Sequence, residues 1–294
     1  MRPVVPGAPH GRPVRPGFRP HAAGPEPDGG RRTACGPVRS GVVSSEDVAR
    51  RLARVHQRVA TACAAAGRRP DEVRVLLASK TLDADAVRAA LLADAGLRAA
   101  GSGTAPVLLG ENRVQELVAK APVLLDLAPT WHVIGPLQSN KVNAALRWAS
   151  AVQSVADDAL AQRLADRVRG RDAPLDVWVQ VNVSGEPTKH GVHPDAAPDL
   201  AVRVAALPGL RLAGLMTVGA NSPDERVVRG GYARLRGLRD AVVGSGAPGT
   251  RDAHGLSMGM SGDLEAAVAE GATVVRLGTA VFGARPAPGG PPTG

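Results

Sequence analysis

The chain has 294 residues, 44% of them hydrophobic and only 2% aromatic, so a core large enough for one sizeable domain has to be built from Ala, Val and Leu. Its formal charge of +9 is uneven: residues 1–43 hold seven Arg against Glu26 and Asp28, leaving +4 for the rest, where no basic cluster is interleaved with stacking aromatics. That distribution argues against specific nucleic-acid binding, Cys35 and Cys63 make no disulfide framework or metal spacing, and no run approaches the roughly 18 apolar residues of a membrane span. A reducing cytoplasm is the expected location.

Residues 1–43 contain nine Pro and eight Gly without apolar periodicity and read as a disordered extension. Residues 286–294 read as a second tail, which leaves 44–285 as the folded domain. Ser44 with Asp47 resembles a capping box, and Val48, Leu52, Val55 and Val59 then recur at helical spacing up to Gly67. Eight strand candidates follow, over 73–79, 107–110, 131–135, 151–155, 176–182, 212–217, 254–258 and 273–277. Amphipathic stretches over 83–95, 157–168, 195–207 and 222–243 lie between them. Short apolar strands alternating with helices predict an α/β fold, a (β/α)8 TIM barrel behind an N-terminal helix. A doubly wound open sheet would normally carry a Gly-rich phosphate turn after its first strand, where this chain has Ser79-Lys80-Thr81. Residues 95–106, with Gly96, Gly101 and Gly103, read as a flexible, functionally neutral loop on the face opposite the barrel's active end.

The C-terminal strand ends of such a barrel converge on one mouth. Here they supply Lys80; Gly110-Glu111-Asn112; His132 and the run from Gly135 to Lys141; Asn182 with Ser184-Gly185; Met216-Thr217; Ser257-Met258-Gly259-Met260-Ser261; and Arg276-Leu277-Gly278-Thr279. Lys80 is one of only four lysines among 36 basic residues, and an amine forms a Schiff base where a guanidinium cannot. The small and hydroxyl residues after strands seven and eight suit a phosphate. An amine and a phosphate cup in one mouth fit pyridoxal 5'-phosphate, and equally a Schiff-base aldolase acting on a sugar phosphate. The aldolase would also need a general acid/base, for which His132 and Glu111 are the weak candidates.

Six collinear motifs sharpen the choice. They are Ser79-Lys80-Thr81; Gly110-Glu111-Asn112-Arg113-Val114-Gln115-Glu116; the run from Trp131 to Lys141; Gly214-Leu215-Met216-Thr217; Leu256-Ser257-Met258-Gly259-Met260-Ser261; and the run from Arg276 to Gly283. Over about residues 45–285 the chain resembles the YggS/PROSC family of pyridoxal phosphate homeostasis proteins. The resemblance implies a barrel like the N-terminal domain of alanine racemase, with pyridoxal phosphate as an aldimine on Lys80. It also implies that Arg276 faces the pyridine nitrogen and that Ser257, Gly278 and Thr279 hold the phosphate. By their place at the strand ends, Asn112, Asn182 and Met216 read as lining the mouth, with satisfaction of a local turn as the alternative for either asparagine. Members are cytosolic, have no established catalysis, and keep pyridoxal phosphate and amino-acid or keto-acid pools in balance.

A racemase is the enzymatic alternative. It would need a second base, which alanine racemases take from a tyrosine of an additional β domain. The single tyrosine here, Tyr232, falls within the helical stretch 222–243 and is expected away from the mouth. A monomer follows from the missing dimerising domain, with pyridoxal phosphate, amino acids and cofactor-accepting enzymes as the expected partners. Lys141 and Lys189 read as solvated surface lysines, with a secondary amine site or a release relay as the alternative. His190 and His193 have no acidic or sulfur partner spaced for a metal, and Met258 and Met260 read as packing. The chain departs from the family pattern at Leu82, where a basic residue is frequent, in the length of 95–106, and in the N-terminal extension.

Overall fold

The computed structural model describes residues 44–283, so the expectations for 1–43, 286–294 and Cys35 lie outside the described residues. The first helix, α1 (Ser45–Ala65), starts where the sequence places it: Ser44 Oγ accepts the Asp47 N–H at 3.1 Å and itself donates to the Asp47 carboxylate at 2.9 Å. Its face of Val48, Leu52, Val55, Val59 and Cys63 is buried.

Eight strands follow, β1 (Arg74–Ala78), β2 (Leu108–Glu111), β3 (Trp131–Val133), β4 (Ala149–Val155), β5 (Leu175–Gln180), β6 (Leu210–Met216), β7 (Gly255–Ser257) and β8 (Val274–Leu277). Each pairs in parallel with the next, and β8 returns to β1 with Leu76 opposite Arg276, closing the barrel. The helices between them are α2 (Ala84–Ala99), α3 (Val114–Lys120), α4 (Val142–Leu146), α5 (Asp158–Val168), α6 (Ala197–Ala205), α7 (Glu225–Gly244) and α8 (Leu264–Ala269), with α9 (Thr279–Phe282) after β8. Asp83 and Asp157 cap α2 and α5 through their carboxylates. Each of the eight strand expectations overlaps an observed strand, and the barrel is the predicted one.

Parallel strands with helices outside are buried on both faces, which explains unbroken runs such as Val75-Leu76-Leu77. The barrel interior is filled by Leu76, Leu108, Trp178, Met216 and Val274. One large indole compensates for few aromatics, and glycine makes room for it: a Cβ on Gly255 would lie 2.4 Å from the Trp178 ring, and one on Gly110 would lie 2.3 Å from Leu76.

Residues 95–99 correct the loop expectation, while 100–106 form the expected connection to β2. Helix α2 runs on to Ala99 through Gly96, whose cost of about 1 kcal/mol is outweighed by its Ala- and Leu-rich neighbours. Asp94 anchors this turn, accepting from Arg98 at 3.0 Å and from the Val107 N–H at 3.3 Å, with His56 Nε2 3.2 Å away. Burial pushes the Asp94 carboxyl up, but those partners outweigh it and hold it below the usual range.

Candidate functional site

Lys80 is half-buried in the turn directly after β1. The next residue, Thr81, has φ +67, a left-handed conformation that a β-branched residue rarely adopts. Hydrogen bonds over-determine that turn. Ser79 N donates to Gly110 O at 3.0 Å, Ser79 Oγ to Glu111 Oε1 at 2.7 Å, and Thr81 N to Glu116 Oε2 at 2.7 Å.

Arg276 projects from β8 and is 7% exposed. Its Nη1 donates to Ser257 Oγ at 2.9 Å and its Nη2 to Thr217 O at 2.6 Å. A guanidinium only donates, so the Ser257 hydroxyl passes its own proton on, to Gln153 Oε1 at 2.7 Å. The Gln153 amide then presents Nε2 to His132 Nδ1 at 2.8 Å, which makes the imidazole the acceptor that ends the chain. Burial, with Arg74 adding to it, pushes His132 down to about 4, so the ring is neutral. Burial likewise lowers Arg276 from the ordinary guanidinium value.

The loops after β7 and β8 meet beside this chain. Ser261 Oγ accepts from the Ala280 N–H at 3.3 Å and from Thr279 Oγ1 at 3.2 Å. Asp263 closes the turn, taking the Met260 N–H on Oδ1 at 2.5 Å and the Tyr232 hydroxyl on Oδ2 at 2.7 Å. Gly278 lies against β1: a Cβ there would sit 3.4 Å from Ala78 O, two residues before Lys80.

Of the residues that the sequence singles out, Lys80, Ser257, Arg276, Gly278 and Thr279 gather on the neighbouring ends of β7, β8 and β1. Ser257 sits deeper than a phosphate role implies, because its fully buried hydroxyl is spent on Gln153 and Arg276. The hydroxyls at the rim are those of Ser261 and Thr279. Met216 ends β6 but packs with the interior cluster. Asn182 shapes its own loop, donating to Glu186 O and Lys189 O and accepting from Ser184 Oγ and Gly185 N. Asn112 is half-buried at the end of β2, where its backbone presses on Gly135 so closely that a Cβ would fall 2.4 Å from Asn112 O.

Lys189 is not the solvated lysine that the sequence suggests: Nζ donates to Glu186 Oε1 and to Gly219 O, each at 2.7 Å. Lys141 ends a 3-10 turn, Ser139–Lys141, while His190 and His193 are exposed. Tyr232 corrects the expectation that it lies away from the mouth. Its helix is where it was predicted, but the buried ring reaches between Gly219 and the turn of Asp263. Gln153 and Lys120 carry no local motif; only their partners in space reveal them.

The chain matches the family described as alanine racemase, N-terminal domain, over residues 43–286. It is 44% identical over 239 residues to a pyridoxal phosphate homeostasis protein of Pseudomonas aeruginosa, covering 81% of this chain and 96% of the relative. It is 39% identical over 244 residues to one of Escherichia coli K12, covering 81% and 97%. Among solved structures it resembles PipY of Synechococcus elongatus with pyridoxal phosphate bound, at 32% identity and a TM-score of 0.66, over 80% of this chain and 100% of that one. With the strand-end motifs, the closed barrel and these relatives in agreement, the chain belongs to the alanine racemase N-terminal domain family and, within it, to the pyridoxal phosphate homeostasis proteins.

Proposed function

We propose that this protein holds pyridoxal 5'-phosphate covalently through Lys80 and serves the balance of that cofactor and of amino and keto acids, without a catalytic cycle of its own. The observation that carries the reading is Arg276, a buried guanidinium at the mouth bonded to a hydroxyl and a backbone carbonyl, with no ion-pair partner among the described residues. Asp263 acts on it only at longer range, and a buried cation with no carboxylate in direct contact is costly, which suits a site whose occupant brings negative charge.

Pyridoxal phosphate fits these residues: an aldehyde for the Lys80 amine, a ring-nitrogen lone pair for Arg276, and a phosphate for Ser261, Gly278 and Thr279. Ser257 acts through Arg276, which it orients, and Asn112, Asn182 and Met216 shape the walls. When bound, the cofactor supplies an electron-withdrawing ring. Arg276 disfavours a proton on the ring nitrogen and so keeps that capacity low.

The acid/base groups of the enzymatic alternatives are engaged elsewhere. Burial and then Asp263 hold the Tyr232 phenol protonated, far above its ordinary value of 10.0. His132 ends a buried hydrogen-bond chain, and Glu111 is wholly buried beneath the Lys80 turn. The test is proton exchange at the α-carbon of alanine in deuterated water with cofactor supplied. No exchange above the free-cofactor rate is expected; sustained exchange overturns the non-catalytic reading. The same proposal places the protein in the cytoplasm as a monomer that exchanges cofactor with acceptor enzymes, and a dimer in gel filtration would contradict the monomeric state. Among the described residues, no helix is long and apolar enough to cross a membrane.

A further inference from the structure

Both peptide units that flank Lys80 are held by one helix. Lys120 Nζ donates to Ser79 O at 2.7 Å, fixing the peptide before Lys80, and Glu116 Oε2 accepts from Thr81 N at 2.7 Å, fixing the peptide after it. Glu116 and Lys120 are one turn apart on α3 and lie 3.2 Å from each other. Glu111, at the end of β2, completes the cluster: its Oε1 accepts from Lys120 Nζ at 2.6 Å and from Ser79 Oγ at 2.7 Å. Lys120 is only 5% exposed, an unusual place for an ammonium, and its donors go to one backbone oxygen and two carboxylates.

The turn needs such holding. Thr81 is one of two non-glycine residues with positive φ among the described residues, and a strained conformation persists where its surroundings over-determine it. The register of β1 with β2 and β8 ends by Ala78 and the last backbone bond to β2 is made by Ser79 N, so the path through Lys80 and Thr81 lies beyond the barrel's own pairing. The ionic cluster acts on the two residues beside the amine.

We propose that Glu116 and Lys120, backed by Glu111, are positioning residues for Lys80: a two-point clamp that sets the backbone from which the amine reaches its carbonyl partner. The inference rests on the reading that Lys80 holds pyridoxal phosphate. Glu116 is the better place to test it, because its side chain is 22% exposed and its replacement leaves the Lys120 bonds to Glu111 and Ser79 intact.

The experiment compares full-length wild type with Glu116→Ala, Glu116→Gln and Lys120→Met. It follows half-saturation with pyridoxal phosphate, the visible band of the bound cofactor, the borohydride-trapped peptide and the thermal midpoint. In Glu116→Ala, losing the acceptor for Thr81 N raises half-saturation about tenfold, the scale of one charge-assisted hydrogen bond, with the trapped cofactor still on Lys80. Glu116→Gln keeps an acceptor for that N–H and restores half-saturation to within about twofold of wild type. Lys120→Met weakens binding at least as much as Glu116→Ala. Wild-type half-saturation and an unshifted band in Glu116→Ala would overturn the clamp, as would a Glu116→Gln variant no better than Glu116→Ala. If Lys120→Met does not fold, the two Glu116 variants decide alone. Failure of the underlying reading looks different: wild type itself then yields no trapped cofactor on Lys80.

Discussion

The Tyr232 hydroxyl donates to Asp263 Oδ2 at 2.7 Å, tying helix α7 to the turn after β7. The other Asp263 oxygen takes the Met260 N–H, so one carboxylate fixes the turn from two sides and sets where Ser261 stands beside Thr279. Tyr232→Phe leaves the ring in place and removes one bond to a charged acceptor. It should cost about 1–2 kcal/mol in unfolding free energy and weaken cofactor binding through the loosened turn. Chemical denaturation and a cofactor titration check both, and a variant equal to wild type in each would contradict this role for the turn.

His132 gives the protein a pH dependence with a definite sign. Its ordinary value is 6.5, and in the folded barrel burial lowers it to about 4. Between those values the unfolded chain binds the extra proton, so stability rises with pH. This contribution is complete above about pH 6.5 and is lost as pH falls toward 4, amounting to about 3 kcal/mol. Unfolding free energies measured across that window should show the slope in wild type and a flatter one in His132→Gln. An unchanged slope in the variant assigns the dependence to other groups.

Gly278 separates a demand of folding from a demand of binding. An added Cβ there makes only ordinary contact with Ala78, at 3.4 and 3.7 Å. Gly278→Ala should therefore change stability by no more than about 0.5 kcal/mol, while cofactor half-saturation rises because the methyl group narrows the mouth. Gly214→Ala is the opposite case: its Cβ would fall 2.0 Å from Gly255 O, in the β6–β7 ladder. That variant should lose about 3 kcal/mol or fail to fold. Thermal midpoints of the two variants, with a cofactor titration of the first, test the contrast.

Much of this architecture is legible in the chain because its signals are local. Apolar runs bounded by turn residues mark every strand, and Ser44, Asp83 and Asp157 announce their helices as side-chain caps. Lys80 is legible for a related reason, since it ends a buried strand in a chain that otherwise prefers arginine. What stays hidden depends on distance. The partner of Tyr232 lies 31 residues on, that of Ser257 104 residues back, and Lys120 meets Ser79 across 41. No spacing rule links such positions until the barrel closes. The extension of α2 through Gly96 is hidden for a different reason, because a glycine signals a break even where the helix formers around it outweigh its cost.

The central claim is that Lys80 carries the cofactor, and the most direct measurement is borohydride reduction of the full-length protein saturated with pyridoxal phosphate, followed by peptide mass analysis. The account predicts a visible band that disappears on reduction and a pyridoxyl group on the peptide containing Lys80, both absent in Lys80→Ala. A protein that shows no band after cofactor is added, or that carries the adduct on Lys120, Lys141 or Lys189 instead, would contradict it.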